Sequence, residues 1–295
     1  ELAEFRKFID RLAFDALPPR VIDAVCILSR NQDQWGVAYS SFVLAKQAGL
    51  DLEFQYEDRP LKEAPLYLLP AVSSHSPVSR RCWLQILDRV RAGATLYVSV
   101  HDGVLNPFGE AVGVEVQTRR RRSEPTDVLL DGLENVPPLR TTGPVQLTLK
   151  PTSAEVLGRE ADGNPVFTEA RYGKGRIFFL AFGMEHELAR TPGAFHAEDA
   201  KPYWQIYRVI ANRATTRRII SGSSPFIGIT EHPLDKKTRV IVLINYSPKD
   251  VNAEFAVASP WRLKSVLRGH RPGKAGDRLT ALIPANDTAV LVVQR

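Results

Sequence analysis

The chain of 295 residues is poor in sulfur, with two cysteines and one methionine. Two cysteines form neither a disulfide framework nor a cysteine-rich metal cluster. Cys26 lies in an apolar, strand-like run and Cys82 in a helix-like stretch, so we expect both to be small buried side chains rather than nucleophiles. This cysteine usage favours a cytoplasmic location, with an extracellular one as the alternative.

Long apolar runs are also missing. Runs such as Val21 to Leu28 and Leu66 to Val72 are far shorter than the roughly 20 residues with which a helix crosses a bilayer. This argues against a membrane partner. The sequence begins with Glu1, and no charged start, apolar stretch and cleavage site follow. We therefore expect either a fragment of a longer chain or a chain whose start has been removed.

Positive charge is in modest excess, with a net charge of +6. Part of it lies in a run of four arginines, Arg119 to Arg122. This run has no interleaved aromatic residues for base stacking, and no DNA-reading motif is recognisable, so nucleic acid is not a predicted partner. We expect a solvated or salt-bridged loop, with an acidic partner or another subunit as the alternative.

The remaining composition is that of a folded globular protein, with 44% hydrophobic and 24% charged residues. A chain of this length exceeds the usual size of one domain, so we predict two domains. At the start, residues 2–17 place apolar side chains at spacings of three to five with charged residues between them, which predicts an amphipathic helix. Pro18 and Pro19 end it, and its apolar stripe requires a partner.

From Val21 onward, short apolar strands alternate with helical stretches, a pattern that predicts parallel βαβ units. Gly49 and Gly93 each follow a predicted helix, where a left-handed C-cap is favoured, and Ser76 before Pro77 is a predicted N-cap. The predicted elements are strands 21–28, 51–55, 66–70, 95–100 and 177–181 and helices 36–48, 77–92 and 202–212.

Two stretches outside this alternation are predicted to be rich in strands. One is an insertion from about Gly103 to Phe167, and the other is residues 225–293, which predict six to eight antiparallel strands. The predicted fold class is α/β, with a flavodoxin-like or class I amidotransferase-like, mostly parallel sheet and flanking helices, followed by a small antiparallel β-sandwich. The predicted segments are a linker helix at 1–19, the α/β domain at 20–218 and the β domain at 219–295.

In an open α/β sheet, ligands are expected at the carboxyl ends of the strands. After strand 95–100 the chain reads Ser99-Val-His101-Asp102-Gly103, at the position where amidotransferase-like folds place a nucleophile elbow. An elbow needs a serine or cysteine flanked by glycines, and here no glycine precedes the turn. We therefore predict no catalytic residue. His101 and Asp102 are interpreted as a hydrogen-bonded turn or subunit contact, or as an inherited ligand pocket, and a Ser99 nucleophile is the less favoured hypothesis.

Glu185 and His186 follow strand 177–181, and glutamate with histidine can ligate a metal or act as acid and base. Glu185 and Glu187 would lie on one side of an extended turn. The next histidine, His196, is ten residues further on, so no metal and no cofactor are predicted. A capped helix start or an interface loop is the default interpretation.

Trp35 is the aromatic residue that best suits a sugar ring, because Asn31 and other amides precede it. Most of the other large aromatic residues, which include Tyr39 and Trp83, are expected in the core.

Ten segments of the sequence together resemble one family. They are Val21–Leu28, Asn31–Trp35, Ala38–Tyr39, Val43–Gly49, Leu66–Pro70, Ala92–Thr95, Asp102–Val104, Tyr172–Arg176, Val242–Ser247 and Ala289–Val293. They occur in the order used by the trimerisation domain of family 42 β-galactosidases, and the closing segments are similar to the small C-terminal β domain of those enzymes. The first helix resembles the last helix of their catalytic barrel.

In that family both catalytic glutamates lie in a (β/α)8 barrel, and no position here matches either motif. The resemblance implies a non-catalytic accessory or oligomerisation region of a β-galactosidase-like glycoside hydrolase, whose missing N-terminal barrel hydrolyses O-glycosyl bonds; the chain alone is not expected to be active. The implied partners are that barrel, further copies in a homo-oligomer such as a trimer, and carbohydrate near the interface. The alternatives are an amidotransferase-fold hydrolase and a carbohydrate-binding module centred on Trp35.

Overall fold

The computed structural model describes residues 2–10, 12, 16–73, 78–102, 109–197, 199–214, 218–222, 224–276 and 278–295. Within these residues no helix is long and apolar enough to span a membrane. The helices are α1 (Leu2–Ile9), α2 (Gln34–Ala48), α3 (Arg80–Ala92), α4 (Gly109–Val112), α5 (Met184–Ala189) and α6 (Trp204–Arg213).

The strands outnumber the helices. They are β1 (Ala24–Leu28), β2 (Leu52–Tyr56), β3 (Leu66–Val72), β4 (Thr95–Val100), β5 (Val114–Arg121), β6 (Thr126–Leu130), β7 (Leu139–Thr141), β8 (Val145–Pro151), β9 (Glu155–Glu160), β10 (Pro165–Tyr172), β11 (Gly175–Leu180), β12 (Ile220–Gly222), β13 (Ile227–Pro233), β14 (Thr238–Asn245), β15 (Val251–Val257), β16 (Arg262–Arg268), β17 (Gly273–Ala275), β18 (Arg278–Ile283) and β19 (Thr288–Gln294).

The chain divides into two compact units. The α/β unit comprises Ala24–Leu44 and Leu52–Thr215, and the β unit comprises Glu1–Asp23, Ala45–Asp51 and Thr216–Arg295. The predicted combination of an α/β region with an antiparallel β region is therefore present.

The α/β unit is built on a nine-stranded sheet of order β2-β1-β3-β4-β11-β10-β9-β6-β7. Its first five strands are parallel, in the order 2-1-3-4-5 of one common type of open α/β sheet. The other four join it antiparallel. The sheet is thus mixed rather than mostly parallel, because strands of the predicted β-rich insertion extend the same sheet. The remaining strands of this unit, β5 and β8, form a separate ribbon.

Strands β1, β3 and β4 are buried at every position. A parallel sheet that is covered on both faces requires such continuous apolar strands. Cys26 on β1 and Cys82 on α3 are both free and buried, as predicted. Burial raises the pKa of both thiols, that of Cys82 to about 11, which disfavours the thiolate that a nucleophile needs.

The helix ends follow the capping rules. Ser79 is the N-cap of α3, where its hydroxyl accepts a hydrogen bond from the Cys82 N–H at 3.3 Å. The predicted cap, Ser76 with Pro77, lies outside the described residues. Gly93 ends α3 with a φ of 127°, and Gly49 follows α2 with a φ of 84°, so both predicted glycine caps are confirmed.

The first helix is shorter than predicted. It ends at Ile9, and residues 11 and 13–15 of the predicted helix lie outside the described residues. A helix of two turns is marginal without tertiary packing, and Leu2 and Ile9 are exposed.

The β unit contains two four-stranded antiparallel sheets, β12-β15-β18-β17 and β13-β14-β19-β16. Their eight strands agree with the predicted six to eight. Side chains of both sheets form one core, which includes Ile229, Ile241, Leu243, Phe255, Ile283 and Leu291. The unit is therefore a β-sandwich.

Candidate functional site

Strands β1, β3, β4 and β11 are parallel, so their carboxyl ends meet at one edge of the sheet. This is where an open α/β sheet binds ligands, and we call it the carboxyl edge. The segments that follow these strands contain all six predicted ligand-binding residues: Asn31, Trp35, His101, Asp102, Glu185 and His186.

Glu185 is the most enclosed of the six. It is the second residue of α5 and is fully buried. Its carboxylate accepts hydrogen bonds from the hydroxyls of Tyr97 at 2.8 Å, Ser99 at 2.6 Å and Tyr207 at 3.0 Å. Burial raises the pKa of Glu185, and the hydrogen bond from Ser99 partly opposes that shift. These three bonds join β4, α5 and α6, which gives Glu185 a structural role.

Ser99 is buried and belongs to the same hydrogen-bond network as Glu185. Its hydroxyl is fully buried and accepts a hydrogen bond from the Ala71 N–H at 2.7 Å while it donates to Glu185. Ala71 has a φ of 49°, a conformation that is costly for a residue other than glycine and is held here by the surrounding structure. A nucleophile must reach its substrate, and the Ser99 hydroxyl does not reach the surface.

The segment after β11 is helix α5, in agreement with the helix start of the default interpretation, although no side chain caps it, and not with the extended turn that was also considered. Glu185 and Glu187 therefore do not lie on one side, because residues two apart on a helix do not face each other. The Glu187 carboxylate accepts hydrogen bonds from the Thr141 hydroxyl at 3.0 Å and from the Thr142 N–H at 2.7 Å. Burial raises its pKa. Glu187 thus ties α5 to the end of β7.

His101 and His186 form a ring pair at this edge, with centroids 3.9 Å apart and ring planes at 45°. Gly183 permits the close approach, since a Cβ atom there would lie 2.9 Å from the Cα of His101. Burial lowers the pKa of both imidazoles, that of His186 to about 4, so both are neutral at neutral pH. Among the described residues, no group of three or more metal-ligating side chains is arranged to hold a metal ion.

Arg119–Arg121 lie on β5, a strand of the ribbon rather than the predicted loop, and Arg122 follows its last residue. Arg119 donates a hydrogen bond from Nε to the carbonyl oxygen of Asp102 at 3.1 Å. Arg122 pairs with the buried carboxylate of Glu160. The salt-bridged character was predicted correctly, and the loop was wrong because β5 pairs with β8 along its length. Arg119 thus joins β5 to the segment that follows β4.

Trp35 is open to solvent, in contrast to Glu185. It is the second residue of α2, and 84% of its surface is exposed. Tyr39 and Phe42 on the same helix are 51% and 38% exposed. Spacings of four and three place all three on one helix face. Trp83 is buried as predicted.

Tyr39 belongs to the group of aromatic residues of which most are expected in the core, and Phe42 was not singled out from the sequence. The signal that identifies both is their helical spacing from Trp35, on a helix whose sequence contains one charged residue, Lys46. A solvent-facing helix normally carries charged residues on its outer face. We call Trp35, Tyr39 and Phe42 the aromatic face of α2.

Comparisons with known proteins give similarity in fold alone. No family model and no curated protein matches the sequence. Gan42B, a family 42 β-galactosidase from G. stearothermophilus, matches with a TM-score of 0.61 and 11% identity over 93% of this chain and 40% of that chain. The β-galactosidase from Rahnella sp. R3 matches with a TM-score of 0.60 and 16% identity over 93% of this chain and 41% of that chain.

Alpha-L-fucosidase isoenzyme 2 from Paenibacillus thiaminolyticus matches with a TM-score of 0.67 and 12% identity over 93% of this chain and 49% of that chain. The chain thus spans less than half the length of these enzymes. The predicted resemblance to part of a family 42 β-galactosidase is confirmed at the level of the fold.

Proposed function

We propose that this chain is a non-catalytic accessory region of a glycoside hydrolase, which supports oligomer formation and borders the active site of a catalytic barrel outside this sequence. The observation that carries the proposal is the sealed carboxylate of Glu185, which is fully buried and bound to three hydroxyls. The fold shared with part of several sugar-cleaving enzymes supports it.

A carboxyl group that cannot reach a sugar cannot catalyse glycoside hydrolysis. Two carboxyl groups must flank the scissile bond, separated by about 5 to 9.5 Å, with room between them for the sugar. At the carboxyl edge, Glu185 and Glu187 instead bind tyrosine, serine and threonine side chains. The burial of Ser99 likewise gives no support to the alternative, an amidotransferase-fold hydrolase.

The finer assignments are part of the proposal. The parallel strands β2-β1-β3-β4-β11 form a flavodoxin-like core of the amidotransferase type, with His101 and Asp102 at the elbow position. We assign the linker to 1–19, the α/β domain to 20–218 and the β domain to 219–295. The proposed partners are the catalytic barrel, further copies of the chain as in a trimer, and carbohydrate, and the proposed compartment is the cytoplasm.

Turnover assays on the 295-residue chain test the accessory role. We expect no hydrolysis of aryl galactosides, fucosides, mannosides or esters above the buffer rate, and light scattering should report an oligomer. Sugar cleavage that is abolished in Glu185→Gln, but kept in the exposed control Glu254→Gln, would show that the chain is itself a glycosidase. Ester cleavage lost in Ser99→Ala would favour the amidotransferase alternative. A monomer would contradict the oligomerisation role.

A further inference from the structure

The aromatic face of α2 is an exposed apolar surface to which the proposed accessory role assigns no ligand. Trp35 is the second residue of α2, the helix that comes after β1 in the chain, and Tyr39 and Phe42 lie further along the same helix. Contiguous exposed apolar patches on a folded protein commonly mark interaction sites. What binds there can be argued from charge, area and ring geometry.

Charge argues against a polyanionic ligand. Between Gln34 and Ala48 the single charged residue is Lys46, which is buried and paired with Asp51 at 2.7 Å. Nucleic acids and other polyanions bind through several lysines or arginines that contact their charges. The aromatic face provides none, so its chemistry suits a neutral ligand.

Area distinguishes a small ligand from a second protein. The exposed parts of the three side chains amount to roughly 400 Å², since an aromatic side chain carries about 150–250 Å². A stable protein interface needs about 800 Å² on each partner. The aromatic face supplies about half of that, which is too little for a stable dimer on its own.

Ring geometry favours a ligand with flat apolar faces. The buried Phe195 contacts Tyr39 edge-on, with ring centroids 5.7 Å apart and planes at 81°, and this contact supports one side of the Tyr39 ring. The imidazole of His196 lies beyond Phe195, at 6.3 Å between centroids. Fixed aromatic rings with a few polar groups at the rim are typical of sites that orient small ligands.

We propose that the aromatic face of α2 binds a neutral oligosaccharide, whose sugar rings stack through their C–H faces on Trp35, Tyr39 and Phe42. This inference rests on the proposed role in glycoside hydrolysis and gives that role a ligand-binding surface. The chain would hold carbohydrate beside the barrel that cleaves it.

Isothermal titration calorimetry on the full chain tests the proposal, with β-1,4-galactotetraose and cellotetraose as neutral probes and tetragalacturonate as the charged control. We expect saturable binding of at least one neutral probe and none of the charged one. Trp35→Ala should weaken binding about tenfold or more, and Trp35→Phe should restore part of it. Phe226→Ala, which removes a 42% exposed ring from the β unit, should leave the affinity unchanged.

Two results would overturn the proposal. One is the absence of heat with both neutral probes at roughly 10 mM, which would detect even millimolar affinity; the other is unchanged affinity in Trp35→Ala. If light scattering instead shows an oligomer that dissociates in Trp35→Ala while no probe binds, the face serves a second copy. Binding is measured separately from turnover, so sugar cleavage would refute the accessory role without touching this inference.

Discussion

The two units bury a glutamate in different ways. In the α/β unit, Glu185 accepts hydrogen bonds from three uncharged hydroxyls and from its own backbone N–H. In the β unit, the fully buried Glu231 accepts hydrogen bonds from the N–H groups of Ile219 and Ile220, both at 3.0 Å, and pairs with Arg239 at 2.7 Å. The carboxyl group of Glu185 is surrounded by uncharged donors, whereas that of Glu231 belongs to an ion pair.

This difference determines what each site tolerates. A hydroxyl both donates and accepts hydrogen bonds, so the three hydroxyls around Glu185 can accommodate a protonated carboxyl group or an amide. A guanidinium only donates, so Arg239, whose side chain is 18% exposed, requires an acceptor and a negative partner. The α/β unit thus surrounds its buried carboxyl group with uncharged donors, whereas the β unit pairs its carboxylate with a guanidinium.

The largest expected effect is that of Glu231→Ala. Removing one partner of a buried ion pair leaves the other charge uncompensated and costs about 3–5 kcal/mol. Hydrogen exchange of the β14 amides would measure the loss in the β unit. Glu254→Ala is the matched control, because Glu254 and Arg278 form an exposed pair at 3.7 Å that contributes less than about 1 kcal/mol. A loss below about 1 kcal/mol for Glu231→Ala would remove the distinction between the two sites.

Glu185→Gln should have a smaller effect, about 1 kcal/mol at pH 7. The amide oxygen can still accept from Tyr97 and Tyr207, and the amide nitrogen can donate to Ser99, so about one hydrogen bond changes in quality. Urea unfolding with hydrogen exchange of β4 measures it. A loss of about 3 kcal/mol or more would mean that Glu185 is needed as an anion.

The pH dependence of stability sharpens this point. Because burial raises the pKa of Glu185, its stabilising contribution is fully present below the ordinary pKa of glutamate and is lost as pH rises through the folded-state value. The free energy of unfolding of the wild type, minus that of Glu185→Gln, should therefore fall as the pH rises above the ordinary pKa of glutamate, about 4.3. Contributions that are the same in both proteins cancel in the difference. A rise with pH would contradict the assigned direction.

The smallest effect on stability is expected for Trp35→Ala, within about 0.5 kcal/mol, because the side chain is 84% exposed. Trp83→Ala is the contrasting variant, since that buried ring should cost about 3–5 kcal/mol. Thermal unfolding followed by circular dichroism compares the two. A large loss in Trp35→Ala would mean that the ring packs against the protein, and the aromatic face would then not be open for a ligand.

The core of the α/β unit could be predicted because its signals are local. Strands β1, β3 and β4 are continuous apolar runs, and the glycines after α2 and α3 mark helix ends. Strand ends also located the candidate site, since parallel strands bring their carboxyl ends together.

What escaped prediction depends on contacts between distant residues. The short strands of the insertion contain no local signal that they pair onto the sheet next to β11. The antiparallel half of the sheet was therefore not predicted. The partners of Glu185 come from β4 and α6, far from α5 in sequence. Periodicity does not show which hydroxyls meet a buried carboxylate, and so the sequence did not show that Glu185 is sealed.

The accessory role is tested most directly by intact-mass measurement after incubation with 2,4-dinitrophenyl 2-deoxy-2-fluoro-β-galactoside, which traps the covalent intermediate of a retaining galactosidase. We predict that the 32.9 kDa chain keeps its mass. A gain of one fluorosugar, mapped to Glu185 or Glu187, would contradict the account.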